Sequence, residues 1–96
     1  MARVLEVKDK NGKLMYLTDE RYNHILKHPE MQNSLRLIEQ TVINPDKIEK
    51  YSIDDSVRFF YTHHKSRKSK ARYLRVAVKY LNGEGFIITA YFVVDI

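Results

Sequence analysis

The sequence predicts an α+β fold in which an N-terminal hairpin and two helices pack on a three- to four-stranded antiparallel sheet. Three observations lead to this prediction: a turn dipeptide near the N-terminus, apolar repeats of helical spacing in the middle, and strands of alternating character in the second half. Helices that precede a run of strands are typical of the α+β class. We expect the helices to cover one face of the sheet and to leave the opposite face open.

The N-terminal hairpin is indicated by Asn11-Gly12, which separates the segments RVLEVKD and KLMYL. Asparagine and glycine adopt the positive φ angles that a tight turn between two strands requires. Thr18 is a suitable N-cap for the first helix, whose first turn is acidic and whose buried side is expected to contain Tyr22, Ile25 and Leu26. This hairpin is expected at an edge of the fold.

Pro29 separates the two predicted helices. The residue before a proline avoids helical geometry, so the first helix is expected to end at His28. Proline is also well placed at the first position of a second helix, in which Leu35, Ile38 and Val42 repeat at helical spacing. The sequence Asn-Pro-Asp at residues 44–46 ends this second helix.

Short strands are predicted after residue 46. They are KIEKYSI, VRFFYT, RYLRVAVKYL and FIITAYFVV, and the last two form a hairpin around a turn at residues 82–85. Alternation predicts a core side formed by Leu74, Val76, Val78, Tyr80, Ile88, Ala90 and Phe92. The open face would then present Arg75, Lys79, Thr89 and Tyr91 together.

The phase of the strand at residues 57–62 is left open by the sequence. One phase would place Arg58, Phe60 and Thr62 on the open face, where a cation and a stacking ring would join the other polar side chains. The opposite phase would present Phe59 and Tyr61 instead. Arg58 is therefore a conditional candidate for contact with a ligand.

Length and composition limit the class of protein. A chain of 96 residues with 44% hydrophobic content indicates a single domain spanning residues 1–96. The absence of cysteine excludes a disulfide framework and thiolate metal sites, and it fits a reducing cytoplasm. The N-terminus has no apolar signal segment and no apolar run is long enough to span a membrane. We therefore expect a cytoplasmic protein with no membrane partner.

The net charge of +5 is concentrated in the segment HHKSRKSKAR, residues 63–72. Five basic residues and no acid occur there: Lys65, Arg67, Lys68, Lys70 and Arg72. The other 12 basic residues are balanced by 12 acidic ones. A concentrated basic loop on an otherwise neutral domain favours binding to a polyanion, nucleic acid first, although a solubilising loop has the same composition.

His24 and His28 lie four residues apart, and this spacing brings both rings to one side of a helix. A zinc site would need a further ligand, and Ile25 occupies the position of the glutamate in the HExxH motif. Two solvated histidines at a helix end remain an alternative. A third interpretation is cleavage of RNA by its own 2′-hydroxyl, for which histidine is a suitable acid or base because its ordinary pKa is about 6.5.

Such cleavage needs cations that stabilise the pentacovalent phosphorane. Arg75 and Lys79 are the candidates for holding the phosphate, and Thr89 and Tyr91 are candidates for hydrogen bonds to it. An exposed tyrosine would also stack on an unpaired base. Thr89 and Tyr91 are equally suited to a purely structural role as strand residues.

Four segments resemble the phage-associated branch of the barnase, EndoU, colicin and RelE-like nucleases, called PBECR proteins. They are YLTDERYNHILKHPEM, IEQTVINPDKIEKY, RYLRVAVKYL and FIITAYFVVDI, which together cover nearly the whole chain. The most specific parts are the block from His24 to Glu30, the turn at residues 44–46 and the closing strand at residues 88–91.

This resemblance implies a barnase-like fold and a metal-independent endoribonuclease, a hydrolase of the kind found in toxins and phage-borne proteins. It implies His24, Thr89 and Tyr91 as the catalytic residues, with His28 and Glu30 as second choices. No cofactor or metal is expected. The expected partners are RNA and a cognate antitoxin or immunity protein. A non-catalytic RNA-binding or regulatory module, and a protein that binds only a protein partner, remain the alternative functions.

Overall fold

Six strands form one mixed sheet in the computed structural model, which describes residues 2–96. The strands are β1 (Arg3–Lys8), β2 (Leu14–Thr18), β3 (Lys47–Lys50), β4 (Val57–His63), β5 (Tyr73–Leu81) and β6 (Glu84–Val93). Their order across the sheet is β1-β2-β6-β5-β4-β3. The β2 and β6 strands are parallel, and all other neighbours are antiparallel.

Two helices and a short 3-10 turn connect β2 to β3. They are α1 (Asp19–Ile25), the 3-10 turn Pro29–Met31 and α2 (Leu35–Ile43). The Thr18 side chain accepts a hydrogen bond from the Arg21 backbone N–H at 3.2 Å, which confirms Thr18 as the N-cap of α1. Pro29 begins the 3-10 turn and not α2, because α2 starts six residues later, after Ser34. No helix within residues 2–96 has the length and apolar character needed to cross a membrane.

The α+β class is confirmed, but the sheet is larger than the sequence predicted. The expected three or four antiparallel strands correspond to β3, β4, β5 and β6, and the N-terminal hairpin adds two more. The hairpin joins through parallel pairing of Met15 with Gly85 and of Tyr16 with Phe86. Gly85 allows close packing here, because a Cβ atom on it would lie 3.0 Å from side-chain atoms of Met15 and Val78.

The two Asn-Gly pairs form different turns. Asn82 and Gly83 both have positive φ angles, of 53° and 82°, and make a two-residue turn between β5 and β6. In the N-terminal hairpin only Gly12 has a positive φ angle, so the predicted positive-φ pair at Asn11-Gly12 was wrong. The Asp9 carboxylate organises this longer loop by accepting backbone hydrogen bonds from Asn11 at 2.8 Å and Lys13 at 2.9 Å.

One hydrophobic core lies between the sheet and the two helices. It contains Met15, Leu17, Ile25, Met31, Ile38, Val42, Phe60, Leu74, Val76, Val78, Ile87, Ala90 and Phe92. The prediction that Ile88 belongs to this core was wrong, since Ile87 is fully buried and Ile88 is half-buried. A β-bulge explains the change: Ala77 pairs with Thr89 whereas Val78 pairs with Ile87, so Ile88 is the extra residue.

In β4, Phe59 and Tyr61 lie on the open face, which decides between the two arrangements that the sequence left open. Phe60 lies in the core on the other side. Thr62 also faces the helices, where its hydroxyl is 2.7 Å from that of Thr41 in α2. Arg58 faces the same side as Phe60 and lines a pocket with it, so Arg58 does not share a face with Arg75 or Tyr91.

Candidate functional site

Arg75 occupies the centre of the open face. It pairs with Tyr61 on one side and with Tyr91 on the other, so these three side chains lie side by side on β4, β5 and β6. Arg75 Nε donates a hydrogen bond to Tyr61 Oη at 3.1 Å, and Arg75 Nη1 donates one to Tyr91 Oη at 3.2 Å. Tyr61 in turn donates its hydroxyl proton to Glu49 Oε1 at 3.1 Å.

Aromatic rings surround the Arg75 guanidinium. Its central carbon lies 5.0 Å from the ring centre of Phe59, 5.3 Å from that of Tyr61 and 5.7 Å from that of Tyr91. Burial alone would lower the pKa of Arg75, but the hydrogen bonds to the hydroxyls of Tyr91 and Tyr61 raise it above its ordinary value. The centre of the open face therefore carries a fixed positive charge at every physiological pH.

Tyr61 is the buried support of this arrangement. Its side chain is fully buried although it lies on the open side of the sheet, because its neighbours cover it. Burial raises the pKa of Tyr61, and the hydrogen bond and charge of Arg75 oppose this shift. Tyr61 thus stays protonated and can hold both Arg75 and Glu49 in place.

An open groove of about 520 Å³ runs beside Arg75. We call it the aromatic groove; it is lined by Glu49, Lys50, Tyr51, Ser52, Phe59, Arg75 and Tyr91. Tyr51 and Phe59 meet edge to face with ring centres 5.2 Å apart. The groove thus combines aromatic surface, a cation and a carboxylate.

Helix α1 and the chain that follows it bring the histidines to the margin of the open face. The helix ends at Ile25 and not at His28 as predicted, so only His24 is helical. The β2 strand pairs with only the first part of β6, through Gly85 and Phe86, and α1 begins directly after β2. The chain then continues beside the rest of β6, so that the Arg21 guanidinium lies 5.8 Å from the Phe86 ring centre and the His28 ring centre lies 6.4 Å from that of Tyr91. His28 is exposed to solvent and is therefore accessible to a ligand at Tyr91.

His24 lies between these two contact points along the chain and is also exposed. It lines a shallow depression of about 300 Å³ with Glu20, Arg21, Asn23 and Lys27. Within residues 2–96 no hydrogen bond or ring contact joins His24 to Thr89 or Tyr91. The structure therefore brings His28, and not His24, into contact with Tyr91.

The remaining predicted residues of the open face are spread along the strands. Thr89 is half-buried next to the β-bulge of β6. Lys79 lies farther along β5, where its ammonium is 3.5 Å from Asp54 Oδ2. Hydrogen bonds from the Ser56 side chain and backbone lower the pKa of Asp54, so this ion pair persists at neutral pH. Glu30 is exposed in the 3-10 turn.

The basic loop between β4 and β5 is held by its arginines. The Arg67 guanidinium lies 3.6 Å from the ring centre of Phe92 and donates to the Ala71 carbonyl at 3.0 Å, and Arg72 donates to the Ser69 carbonyl at 3.1 Å. The lysines are exposed, and within the described chain none of them pairs with a carboxylate: Lys65, Lys68 and Lys70. These lysines are thus available to an anionic partner.

The last two histidines occupy different environments. His63 stacks on Tyr73 on the open face, with ring centres 4.5 Å apart and an interplanar angle of 19°. His64 faces the helices, where its Nε2 lies 2.9 Å from the Thr62 hydroxyl. Burial lowers the pKa of His64, and the nearby Arg67 charge lowers it further.

Several residues of the site were not singled out by the sequence. Glu49 lies in the short edge strand β3, and Tyr51 follows directly after it. In the sequence KIEKY these two residues alternate with Ile48 and Lys50, and this pattern could have predicted that Lys47, Glu49 and Tyr51 share one strand face. The sequence left open whether Phe59 and Tyr61, or Arg58 and Phe60, lie on the open face. The stacked pair His63 and Tyr73 follows from the β4 to β5 register, which the sequence did not determine.

Comparison with known proteins gave no match to a family model, to a curated protein or to a solved structure. In the part of the chain from residue 2 to residue 96, no cluster of three or more His, Asp or Glu side chains is arranged to hold a metal ion. The resemblance to the phage-associated nucleases remains a prediction.

Proposed function

We propose that the protein is an endoribonuclease of the phage-associated, barnase-like type, acting in the cytoplasm without a metal ion. It would cleave RNA by attack of a 2′-hydroxyl on the adjacent phosphate. The observation that carries this proposal is the Arg75 guanidinium, which two tyrosine hydroxyls hold on the open face beside an accessible imidazole, His28. This is the combination of fixed cation and acid–base group that the reaction needs.

Arg75 and Tyr91 are suited to bind the scissile phosphate. Arg75 uses one N–H on Nε and one on Nη1 for the tyrosines, and its other N–H groups remain for phosphate oxygens. Tyr91 accepts a hydrogen bond from Arg75, so its own hydroxyl proton is not used in that contact. A second donor next to the guanidinium would stabilise the charge that develops on the phosphorane.

The two histidines of the α1 segment would divide the proton transfers. One imidazole removes the proton from the 2′-hydroxyl, and the other protonates the leaving 5′-oxygen. His28 has the stronger geometric support because its ring neighbours Tyr91, and His24 is the second candidate because both rings are exposed on the chain segment beside β6. Thr89 and Glu30 would have accessory roles in orienting the RNA.

The basic loop would bind the RNA backbone away from the reacting phosphate. Its lysines are exposed. The loop joins the last residue of β4, His63, to the first residue of β5, Tyr73, and these two rings stack on each other. Lys79 is a weaker candidate for phosphate binding because it is paired with Asp54. The same cationic face would attract an acidic antitoxin or immunity protein, which would block the site.

The test is a cleavage assay on single-stranded RNA in the presence of EDTA. We expect cleavage that leaves 2′,3′-cyclic phosphate ends, and we expect His28→Ala to lose it while Asn23→Ala, an exposed neighbour on α1, retains it. Cleavage that requires an added divalent cation, or products with 5′-phosphate and 3′-hydroxyl ends, would contradict this mechanism.

A non-catalytic RNA-binding module is the second candidate function. It is favoured by the stacked pair His63 and Tyr73 and by the exposed lysines, because these features would bind RNA without any proton transfer. This function predicts saturable RNA binding and intact RNA after prolonged incubation. The cleavage assay therefore separates the two functions.

A further inference from the structure

A small pocket lies on the helix side of the sheet, on the face opposite to Arg75. We call it the rear pocket; it has a volume of about 240 Å³, and its lining includes Asp9, Lys13, Asp55, Arg58, Phe60 and Tyr80. Phe60 and Tyr80 lie on the core side of β4 and β5, which places the pocket behind the open face. We propose that the rear pocket binds the phosphate group of a small phosphomonoester between Lys13 and Arg58. This inference does not depend on the proposed function, which uses the other face of the sheet.

The fold brings two cations from distant parts of the chain to one tyrosine. Lys13 lies in the loop between β1 and β2, and its ammonium is 5.3 Å from the ring centre of Tyr80 in β5. Arg58 lies in the neighbouring strand β4, where it pairs with Val78. Burial and the hydrogen bond to Asp9 raise the pKa of Tyr80, and the nearby charge of Arg58 opposes this rise. Both cations therefore lie close to Tyr80.

These two cations have no acidic partner. Within residues 2–96 neither Lys13 nor Arg58 forms an ion pair with a carboxylate. Arg58 uses its Nη1 for the backbone carbonyls of Asp55 and Val57, and the N–H groups on its Nε and Nη2 donate to no atom of the described chain. Because the Arg58 side chain is half-buried, water and salt screen its charge less than they screen a charge on the open surface. The pocket therefore offers a guanidinium and an ammonium to a ligand.

The two carboxylates of the rear pocket are already engaged. Asp9 is only 7% exposed, and it accepts hydrogen bonds from two backbone N–H groups of its own loop and from the Tyr80 hydroxyl at 2.7 Å. Asp55 lies 3.3 Å from the Lys50 ammonium. The charges that remain without a partner in this pocket are thus positive, and they favour an anionic ligand.

Charge and size together select a small phosphomonoester. A guanidinium binds two oxygens of a phosphate or carboxylate through its planar fork, and an ammonium adds a point charge. A phosphomonoester carries a charge of about −1.5 to −2 at pH 7, which matches two cations, whereas a carboxylate carries only one negative charge. The volume of about 240 Å³ is below the range of about 300–1,000 Å³ that is usual for larger organic ligands. The exposed Ile48, which also lines the pocket, offers apolar contact to the small organic part.

The experiment is a titration of the full chain with methyl phosphate at pH 7.5, followed residue by residue through the backbone amide signals in NMR. Sodium chloride keeps the ionic strength constant. We expect saturable shifts at the amides of Lys13, Arg58 and Tyr80, and signals around Arg75 report separately on the open face. Methyl sulfate has the same shape with a single negative charge, and we expect it to bind about tenfold more weakly. Shifts that do not saturate, or equal affinity for the two anions, would overturn the proposal.

Four variants assign the binding to the two cations of the rear pocket. Arg58→Gln and Lys13→Gln should each weaken the binding of methyl phosphate about tenfold, because each removes one charge-assisted contact. Lys10→Gln removes an exposed charge from the same loop, and Arg75→Lys changes the opposite face; both should bind as the unmodified protein does. Lys13 is exposed, so its variant remains informative even if Arg58→Gln does not fold. Undiminished binding by Lys13→Gln would overturn the site.

A phosphate group could reach the rear pocket on a free small molecule or as the 5′ end of an RNA. A 5′-phosphorylated dinucleotide with an uncleavable 2′-O-methyl linkage separates these sources in the same titration. We expect it to bind no more tightly than methyl phosphate, because the pocket is small and lies on the face away from Arg75. Tighter binding that shifts the same amides would support the phosphate site and assign it to an RNA end.

Discussion

Arg75 donates a hydrogen bond to the Tyr91 hydroxyl across two neighbouring strands, at 3.2 Å. The contact joins a cation and a hydroxyl on a face of the sheet that the helices leave uncovered. Because the partner of Arg75 on its other side is the buried Tyr61, the guanidinium is fixed from both sides. If a phosphate binds here as proposed, no binding energy is needed to order this side chain.

Arg75→Lys tests whether this fixed geometry matters beyond the charge. A lysine ammonium is a point charge and cannot reproduce the fork that contacts both tyrosines. We expect cleavage of RNA to fall about 100-fold, as for loss of a group that stabilises the transition state. The matched change Arg36→Lys on α2 should leave the rate unchanged. Equal rates for Arg75→Lys and the unmodified protein would show that charge alone is sufficient.

Tyr91→Phe removes one hydroxyl and keeps the ring next to His28. We expect kcat to fall about 100-fold with little change in KM, because the lost proton donor would act mainly on the developing charge. Tyr16→Phe is the control, because it removes a hydroxyl that has no hydrogen bond within residues 2–96 and keeps the ring on Phe86. A change confined to KM would instead assign Tyr91 to ground-state binding of the RNA.

Replacing the three loop lysines with glutamine tests the basic loop. If Lys65, Lys68 and Lys70 each contact a phosphate of a single strand, the slope of log K against log salt should become less steep by about 2 units. The control replaces Lys8, Lys10 and Lys13, which are exposed in the N-terminal hairpin, and so removes the same charge away from the proposed RNA site. Equal slopes for the two triple variants would indicate a general effect of net charge and no contact by the loop.

The partly buried environment of His64 predicts a pH dependence of stability. Its pKa in the folded protein lies below the ordinary value of 6.5, so the unfolded chain binds the proton more readily. The contribution of neutral His64 to stability is therefore complete above about pH 6.5 and is lost as the pH falls below that value. Urea unfolding at pH 7.5 and 5.5 measures this loss.

His64→Gln should reduce the pH dependence of the urea midpoint, because the variant lacks the group that titrates. The neighbouring change His63→Gln removes an exposed imidazole whose charge is the smallest of the causes that lower the pKa of His64, after burial and Arg67, so it should preserve most of the dependence. The opposite pattern, in which only His63→Gln flattens the profile, would assign the titration to the open face.

Gly85→Ala tests the packing that attaches the N-terminal hairpin to β6. The new methyl group would lie 3.0 Å from Met15 Cγ and Val78 Cγ1, which is closer than ordinary contact. We expect the free energy of unfolding to fall by about 1–3 kcal/mol, the usual cost of overpacking. Chemical denaturation measures it, and Gly85→Val should be worse. An unchanged stability would mean that the hairpin shifts without cost.

The sequence predicted what depends on local alternation and local caps. The alternation of Arg75 with Val76, and of Ala90 with Tyr91, predicts which residues of β5 and most of β6 face the core. The N-cap role of Thr18 was predicted from its side-chain chemistry. The bulge at Ile88 broke the alternation at one point, because an inserted residue leaves no distinctive pattern in an apolar strand.

The other differences depend on which segments meet across the sheet. The pattern of β2 is equally compatible with an isolated hairpin and with parallel pairing to β6, and its choice depends on contacts far apart in the chain. The phase of β4 was undetermined because Phe59, Phe60 and Tyr61 are all large and apolar enough to be buried. Glu49 was not predicted for a related reason, since its place in the aromatic groove depends on the hydrogen bond from Tyr61 beside it.

The junction of β2 and α1 has a consequence for how activity would respond to mutation. Only two residue pairs fix the position of β2 along β6, and α1 follows without a linker. A slip of one residue in this short pairing would carry the whole α1 segment about 3.3 Å along β6. Substitutions in the N-terminal hairpin that shift this pairing would thus alter the rate of the proposed turnover at a distance, without touching any group proposed to meet the RNA.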